Sequence, residues 1–312
     1  MTTVIDGMPH IRPCRSIPSD GLADNEWSTS IPTQYAMLTQ PLPLAGGAML
    51  ERAGSSGEAR LAAALRAEAP WMARFADRIA ERAALSLWAG RPWLALRPML
   101  LVGPPGAGKT YLARRLGTLS GCGDAVLSFS GVNSNAVLAG NPRGFRHPQP
   151  CLPAMVMQRT NTANPVIVID EVEKTVASDL GDAVATLLGM LEGAGAARYF
   201  DGCLAAEIDL SHVNWVMTAN RIDRLPAALL SRVEVIHVSG PRPEDAELVL
   251  PALWRDVADQ FGLPPSALPQ VEQAAETALL RLFRRTRSVR RLRQAIEALV
   301  AVSARHRLRE VH

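Results

Sequence analysis

At 312 residues, with a net charge of +3, 48% apolar and 20% charged residues, the chain suits one large domain or two moderate ones and can bury a core. Wholesale disorder is excluded, and no uncharged apolar run approaches the ~18 residues that a membrane-spanning helix needs. The start, MTTVIDGMPHIRPCR, lacks the basic-then-apolar order of a secretory signal, and Cys14, Cys122, Cys151 and Cys203 are too scattered for a zinc site or a disulfide framework. The sequence therefore reads as soluble, intracellular and cytoplasmic, with no membrane partner.

Residues 1–56 carry Pro9, Pro13, Pro18, Pro32, Pro41 and Pro43 and end in AGG and AGSSG, without a sustained helical or strand period. They read as a mostly disordered arm. From Glu58 an alanine-rich helix runs to Glu68, and after Pro70 the residues Trp71, Phe75, Ile79 and Ala83 recur every four positions, the stripe of a helix packed on a core. Five short apolar runs follow: Met99–Val102, Ala125–Phe129, Val166–Ile169, Trp215–Thr218 and Val233–Val238. Alternating with longer helical segments, they predict an α/β domain with a parallel five-stranded sheet. Beyond Gly240 only helical periods remain, opened by Pro243-Glu244-Asp245 with acids in the first turn. The expected organisation is an arm over 1–56, a large α/β domain with leading helices over 57–240, and a small all-α domain over 241–312.

Only Lys109 and Lys174 are lysines among the 33 basic residues, so each lysine invites a reason. Lys109 stands in Gly103-Pro104-Pro105-Gly106-Ala107-Gly108-Lys109-Thr110, a complete G-x-x-x-x-G-K-[ST] between an apolar strand and a helix. Glycines at those positions let backbone N–H groups turn around phosphate oxygens at a helix N-terminus. In this reading Lys109 reaches the β- and γ-phosphates of ATP and the Thr110 hydroxyl ligates Mg²⁺. The third run, VIVIDE, ends in Asp170-Glu171 at the carboxyl edge of the sheet, where α/β proteins bind ligands. Asp170 would hold Mg²⁺, largely through water, and Glu171 would polarise the attacking water as general base. Asn220, after the fourth run, can orient that water and sense the γ-phosphate, although an Asn also ends many strands as a turn residue.

With these motifs in hand, the sequence resembles an AAA+ ATPase, and more narrowly the ATPase module of the Lon protease family. NPVIVIDEVEK, GDAVATLLGMLE and YFDGCLAAEIDLSHVNWVMTANRIDRLPAALLSRVEVI carry the narrower match, and with the P-loop the resemblance spans roughly residues 70–305. It implies a sensor-1 role for Asn220 and an arginine finger acting on the neighbouring subunit for Arg232, although Ser231 stands where the family usually has Asp. It implies a sensor-2 role for Arg290, in the first turn of a helix capped by Ser288, with Arg287 and Arg291 as nearby alternatives. Phe145, in AGNPRGFRHP, is the counterpart of a substrate-gripping pore-loop aromatic. No aromatic occurs between Thr175 and Gly181, where a second pore loop is expected.

Both lysines are placed in the ATPase module, so residues 1–312 leave none for a Ser–Lys peptidase dyad, and the chain reads as an ATPase module alone. The resemblance implies a homo-oligomeric ring, a hexamer by expectation, that hydrolyses ATP with Mg²⁺ and remodels a protein client, with a separate peptidase or effector as a further partner. The competing reading is a nucleic-acid-linked ATPase, suggested by RLFRRTRSVRRLR over 281–293, which has seven arginines and no acid. A degenerate, nucleotide-binding regulator is opposed by the intact Lys109, Asp170, Glu171, Asn220 and Arg232.

Overall fold

The structure is a computed structural model and describes residues 57–91, 93–132, 134–175, 182–262 and 273–310. The arm at 1–56 and the second pore-loop segment lie outside the described residues. Helices α1 (Gly57–Glu68) and α2 (Ala73–Trp88), separated by a 3-10 turn over Pro70–Met72, precede the first strand. A five-stranded sheet follows, made of β1 (Met99–Val102), β2 (Asp124–Ser128), β3 (Val166–Asp170), β6 (Asn214–Ala219) and β7 (Glu234–His237). A separate antiparallel hairpin, β4 (Tyr199–Asp201) and β5 (Ala206–Ile208), is inserted before β6.

The sheet order is β2-β3-β6-β1-β7 and every pairing is parallel. Burial follows this order. β1 (MLLV) and β6 (NWVMTA) are buried at every position, and β3 (VIVID) at all but its terminal Asp170, because helices cover both faces of a central parallel strand. The edge strands β2 and β7 are buried only in part and carry the polar residues Asp124, Glu234 and His237. Each apolar run read from the sequence is one of these strands, with ends that coincide or differ by a single residue. The hairpin was not anticipated: its strands are three residues each, too short for a period of two to show.

One apolar cluster on one face of the sheet joins Leu100, Ile167, Ile169, Trp215 and Met217. Another, on the opposite face, joins Phe75, Ile79, Leu101, Leu112, Val168 and Val216. A third belongs to the C-terminal helices α9 (Ala246–Gln260), α10 (Gln273–Thr286) and α11 (Val289–Glu310), centred on Leu253, Phe283, Leu292 and Ile296. No helix among the described residues is long and apolar enough to cross a membrane.

The register brings three strand ends to one edge. Val102 pairs with Ala219 and Ile169 with Met217, so the loop after β1, the end of β3 and the tip of β6 lie side by side. β6 separates β1 from β3, which puts Thr218 and Asn220 between the glycine-rich loop and the two carboxylates.

Candidate active site

The loop after β1 starts under tight constraint. A Cβ on Gly103 would lie 2.3 Å from the Val238 carbonyl oxygen, so only glycine fits there. Gly106 and Gly108 have φ of 79° and 86°, a left-handed conformation that glycine adopts without steric cost. The loop then delivers the chain into α3 (Lys109–Ser120), whose first residues Lys109, Thr110 and Tyr111 line a cleft at the sheet edge. Pro105, Gly106, Ala107 and Gly108 also line it. Gly103 and Pro104 lie beneath, where their carbonyl oxygens accept from Lys109 Nζ at 2.8 and 3.0 Å.

Lys109 is 7% exposed and donates a third bond, to Asn220 Oδ1 at 3.1 Å. Burial pushes its pKa below the ordinary lysine value, and the carboxylates of Asp170, Glu173 and Glu171 oppose that shift. Asp170 Oδ1 accepts from the Thr110 hydroxyl at 2.7 Å and from the Thr218 hydroxyl. The Thr218 oxygen in turn accepts from the Glu171 N–H at 3.2 Å. Glu171 has φ of 55°, a left-handed conformation rare outside glycine and costing about 1–3 kcal/mol at such sites.

A single 3-10 turn, Val172–Lys174, follows and sends its two charges in different directions. Lys174 Nζ donates to Glu171 Oε1 at 2.7 Å. Glu173 Oε1 accepts from both the backbone N–H and the side-chain Nδ2 of Asn220, each at 3.0 Å. The other oxygen, Oε2, is buried without a hydrogen-bond partner among the described residues.

The opposite wall is helical. Val249, Ala252, Leu253 and Asp256 of α9 and Val289, Arg290 and Arg293 of α11 line it, with Glu68, Ala69, Trp71 and Met72 at one end. Ser288 caps α11 by accepting from the Arg291 N–H at 3.3 Å. The Val289 N–H donates to the Gly106 carbonyl at 3.3 Å, tying the helix start to the glycine-rich loop. Of the three arginines weighed from sequence, Arg290 lines the cleft and Arg287 and Arg291 do not. Arg290 makes no hydrogen bond or ion pair among the described residues, whereas Arg293 bonds Glu297 and Gln260 at 3.0 and 2.6 Å. Burial against Asp256 and Glu68 pushes the Tyr111 hydroxyl pKa well up, so it stays a neutral donor.

Two sequence-derived residues lie away from this cleft. Arg232, just after the short helix α8 (Ala227–Leu230), donates to Ala228 O at 3.0 Å and approaches Glu192 at 3.9 Å. Phe145 is 61% exposed, on a loop closed by the Asn141–Gln149 bridge. That loop is braced on the hairpin: the Arg143 guanidinium donates to the carbonyls of Cys203 at 2.7 Å and Leu204 at 3.1 Å. The hairpin turn is organised by the fully buried Asp201, which accepts from the N–H groups of Cys203, Leu204 and Cys151.

The sheet order, the glycine-rich loop and the carboxylates at the neighbouring strand ends agree with what comparison finds. Residues 99–240 match the model of the ATPase family associated with various cellular activities, AAA. They form an AAA domain. Three relatives illustrate its closer affinities. The chain is 34% identical over 202 residues to the Lon protease of Magnetococcus marinus, covering 64% of this chain and 25% of that protein. It is 32% identical over 207 residues to the peroxisomal Lon protease homolog 2 of Spinacia oleracea, covering 66% and 23%. It is 33% identical over 213 residues to Lon protease 2 of Thermus thermophilus, covering 68% and 26%. The chain thus spans about a quarter of the length of these curated relatives. Among solved structures, the S. cerevisiae Hsp104:casein complex in its extended conformation superposes with a TM-score of 0.62 at 17% identity, covering 81% of this chain and 48% of that one, a likeness of fold.

Three residues at or beside the cleft are not legible in the sequence. Thr218 and Glu173 act through contacts that depend on β6 lying beside β3. Trp71 belonged to the expected core stripe, and its partners Phe75, Ile79 and Ala83 are indeed buried. Trp71 itself lies in the 3-10 turn before α2, is half-buried, and donates from its indole to Ala107 O at 2.8 Å. It is a wall of the cleft as well as a packing residue, and only the Pro70 that starts this turn hinted at the change.

Proposed function

We propose that the chain binds ATP with Mg²⁺ in this cleft, hydrolyses it, and works as a homo-oligomeric ring, most simply a hexamer, that remodels protein clients. The observation that carries this reading is the convergence of Lys109, Thr110, Asp170, Glu171 and Asn220 from three adjacent strand ends, facing Arg290 across one cleft.

The residues fit both groups. The left-handed glycines and the start of α3 make a phosphate cradle. Thr110 and Asp170, already within hydrogen-bond distance of one another, offer the hard oxygen donors that Mg²⁺ prefers, and a phosphate-bound ion needs only one or two such protein ligands. When bound, Mg²⁺ would neutralise charge on the phosphates. Lys109 then serves as the cation for the phosphate chain. Thr218 locks the Asp170 carboxylate and the Glu171 backbone in one orientation. Glu171 lines the cleft beside the metal position, where it can take a proton from water. Arg290 supplies positive charge from the helical wall. Arg232, absent from its own cleft, is assigned to the nucleotide of an adjoining copy.

A protein client is supported by the relation to Lon proteases over this region. The arginine-rich run lends little to a nucleic-acid surface, because its members diverge: Arg290 faces the cleft, Arg284 approaches Glu247 at 3.3 Å, and Arg293 bonds Glu297.

The test is Mg²⁺-dependent phosphate release, with specific activity rising with protein concentration as rings form. Mixing Arg232→Ala with Glu171→Gln, each inactive alone, should restore partial activity, because some interfaces then join an intact Arg232 to an intact Glu171. Full activity of Arg232→Ala alone would refute the shared site. Absence of ATP hydrolysis by the unmodified chain would refute the enzymatic reading.

A further inference from the structure

Asn220 sits between two partners of opposite and fixed hydrogen-bonding character. On one side Glu173 Oε1 receives both its backbone N–H and its Nδ2, each at 3.0 Å. On the other, Lys109 Nζ reaches its Oδ1 at 3.1 Å. A carboxylate only accepts and an ammonium only donates, so the amide can be inserted one way round. We propose that Glu173 is a positioning residue: it clamps the Asn220 amide with its carbonyl toward the cleft, so that Asn220 acts on the reaction as a hydrogen-bond acceptor.

Two further observations favour this role over simple structural bracing. Among the described residues Glu173 Oε2 is buried without a partner, an unfavourable arrangement that packing alone would not select. The clamp is also local to the chemistry, because Glu173 lies on the one-turn helix that Glu171 caps. One short turn and its cap therefore carry both the proposed general base and the residue that positions Asn220. An acceptor at this place can take a hydrogen from the attacking water and point its lone pair at phosphorus. It cannot donate to the γ-phosphate, a task left to Lys109 and Arg290.

The inference rests on the ATPase reading above, and its test separates the two. Steady-state kcat and KM for ATP with Mg²⁺ would be measured on the full chain, with thermal melting as a check of folding. Absence of hydrolysis by the unmodified chain would refute the underlying reading, whereas full hydrolysis by Asn220→Ala would leave that reading standing and overturn the proposal, because it removes the group that Glu173 positions. Glu173→Ala should lower kcat about tenfold or more while KM stays within about threefold, since a charge-assisted hydrogen bond is lost at a group that acts after binding. Asn220→Asp should be severely impaired, because it sets a carboxylate against Glu173. The deciding variant combines Asn220→Asp with Glu173→Gln. It removes the clash, restores a donor–acceptor pair with polarity reversed, and leaves only an acceptor facing the cleft. Its kcat should exceed that of Asn220→Asp about tenfold or more. No recovery in a folded double variant would overturn the proposal, since it would mean that the Asn220 amide N–H is itself required or that the pair does not interact. Unchanged kcat in Glu173→Ala would overturn it as well. If that variant fails to fold, the double-variant comparison decides alone.

Discussion

The two walls of the cleft are built differently. On the strand-end wall, hydrogen bonds form two connected networks side by side, one of Thr110, Asp170, Thr218 and Glu171 and the other of Lys109, Asn220 and Glu173, in which most polar groups already have a partner. The helical wall meets the glycine-rich loop through the Val289–Gly106 backbone bond, and its cleft-facing Arg290 is unpaired among the described residues. A connected network holds groups in place before the reaction begins, which is how electrostatic catalysis avoids reorganisation at the moment of reaction. An unpaired cation at a helix N-terminus is an unfavourable arrangement that a bound anion relieves. Under the proposed function, the first wall is organised for chemistry and the second is arranged to respond to the nucleotide.

Substitutions can break this comparison, and the largest effect belongs to the strand-end wall. Glu171→Gln should reduce kcat by about 10²–10⁴-fold while ATP binding persists, measured by phosphate release and equilibrium binding. Lys109→Ala should weaken ATP binding about a hundredfold, because several charge-assisted bonds go with the ammonium. Equal loss of affinity in both variants would contradict the division between cradle and water activation. On the helical wall, Arg290→Ala should lower kcat/KM about tenfold. It should also raise the stability of the nucleotide-free chain by about 0.3–1 kcal/mol, seen as a higher Tm, because a positive charge leaves the first turn of α11. A lower Tm would mean that Arg290 is a structural residue. Arg293→Ala should have the smallest effect, a change in kcat/KM below about threefold, because Glu297 and Gln260 already engage its guanidinium.

The same contrast governs what could be read without coordinates. The glycine-rich loop is legible because its function depends on consecutive residues, and the strand–loop–helix context was visible in the apolar run before Gly103. Asp170 and Glu171 follow from one strand end in the same way. Arg290 comes from the family resemblance, supported by the anomalous charge that the Ser288 cap creates, and only the cleft separates it from Arg287 and Arg291. Thr218 and Glu173 could not be read, since each acts across strands and the sheet order decides what it meets. Thr218 is one more polar residue at the end of a buried strand until β3 is placed beside β6. Trp71 fits an apolar period of four and still faces the cleft, because Pro70 starts a 3-10 turn there and α2 begins only at Ala73. Periodicity reports which side of an element is apolar, and it does not report where the element stops.

The brace between the Phe145 loop and the β4–β5 hairpin has a mechanical consequence. If Phe145 engages a client as proposed from the resemblance, a tug on it would be passed by Arg143 to the Cys203 and Leu204 carbonyls, and from that turn by Asp201 to the Cys151 N–H at the start of α5 (Leu152–Thr160). The two bonds of Arg143 act side by side, those of Asp201 lie behind them, and the bulk behind both is the packed interior of the domain. The loop is therefore anchored at its base and not a slack tether, and displacement of the helix would be passed toward its tip through bonds.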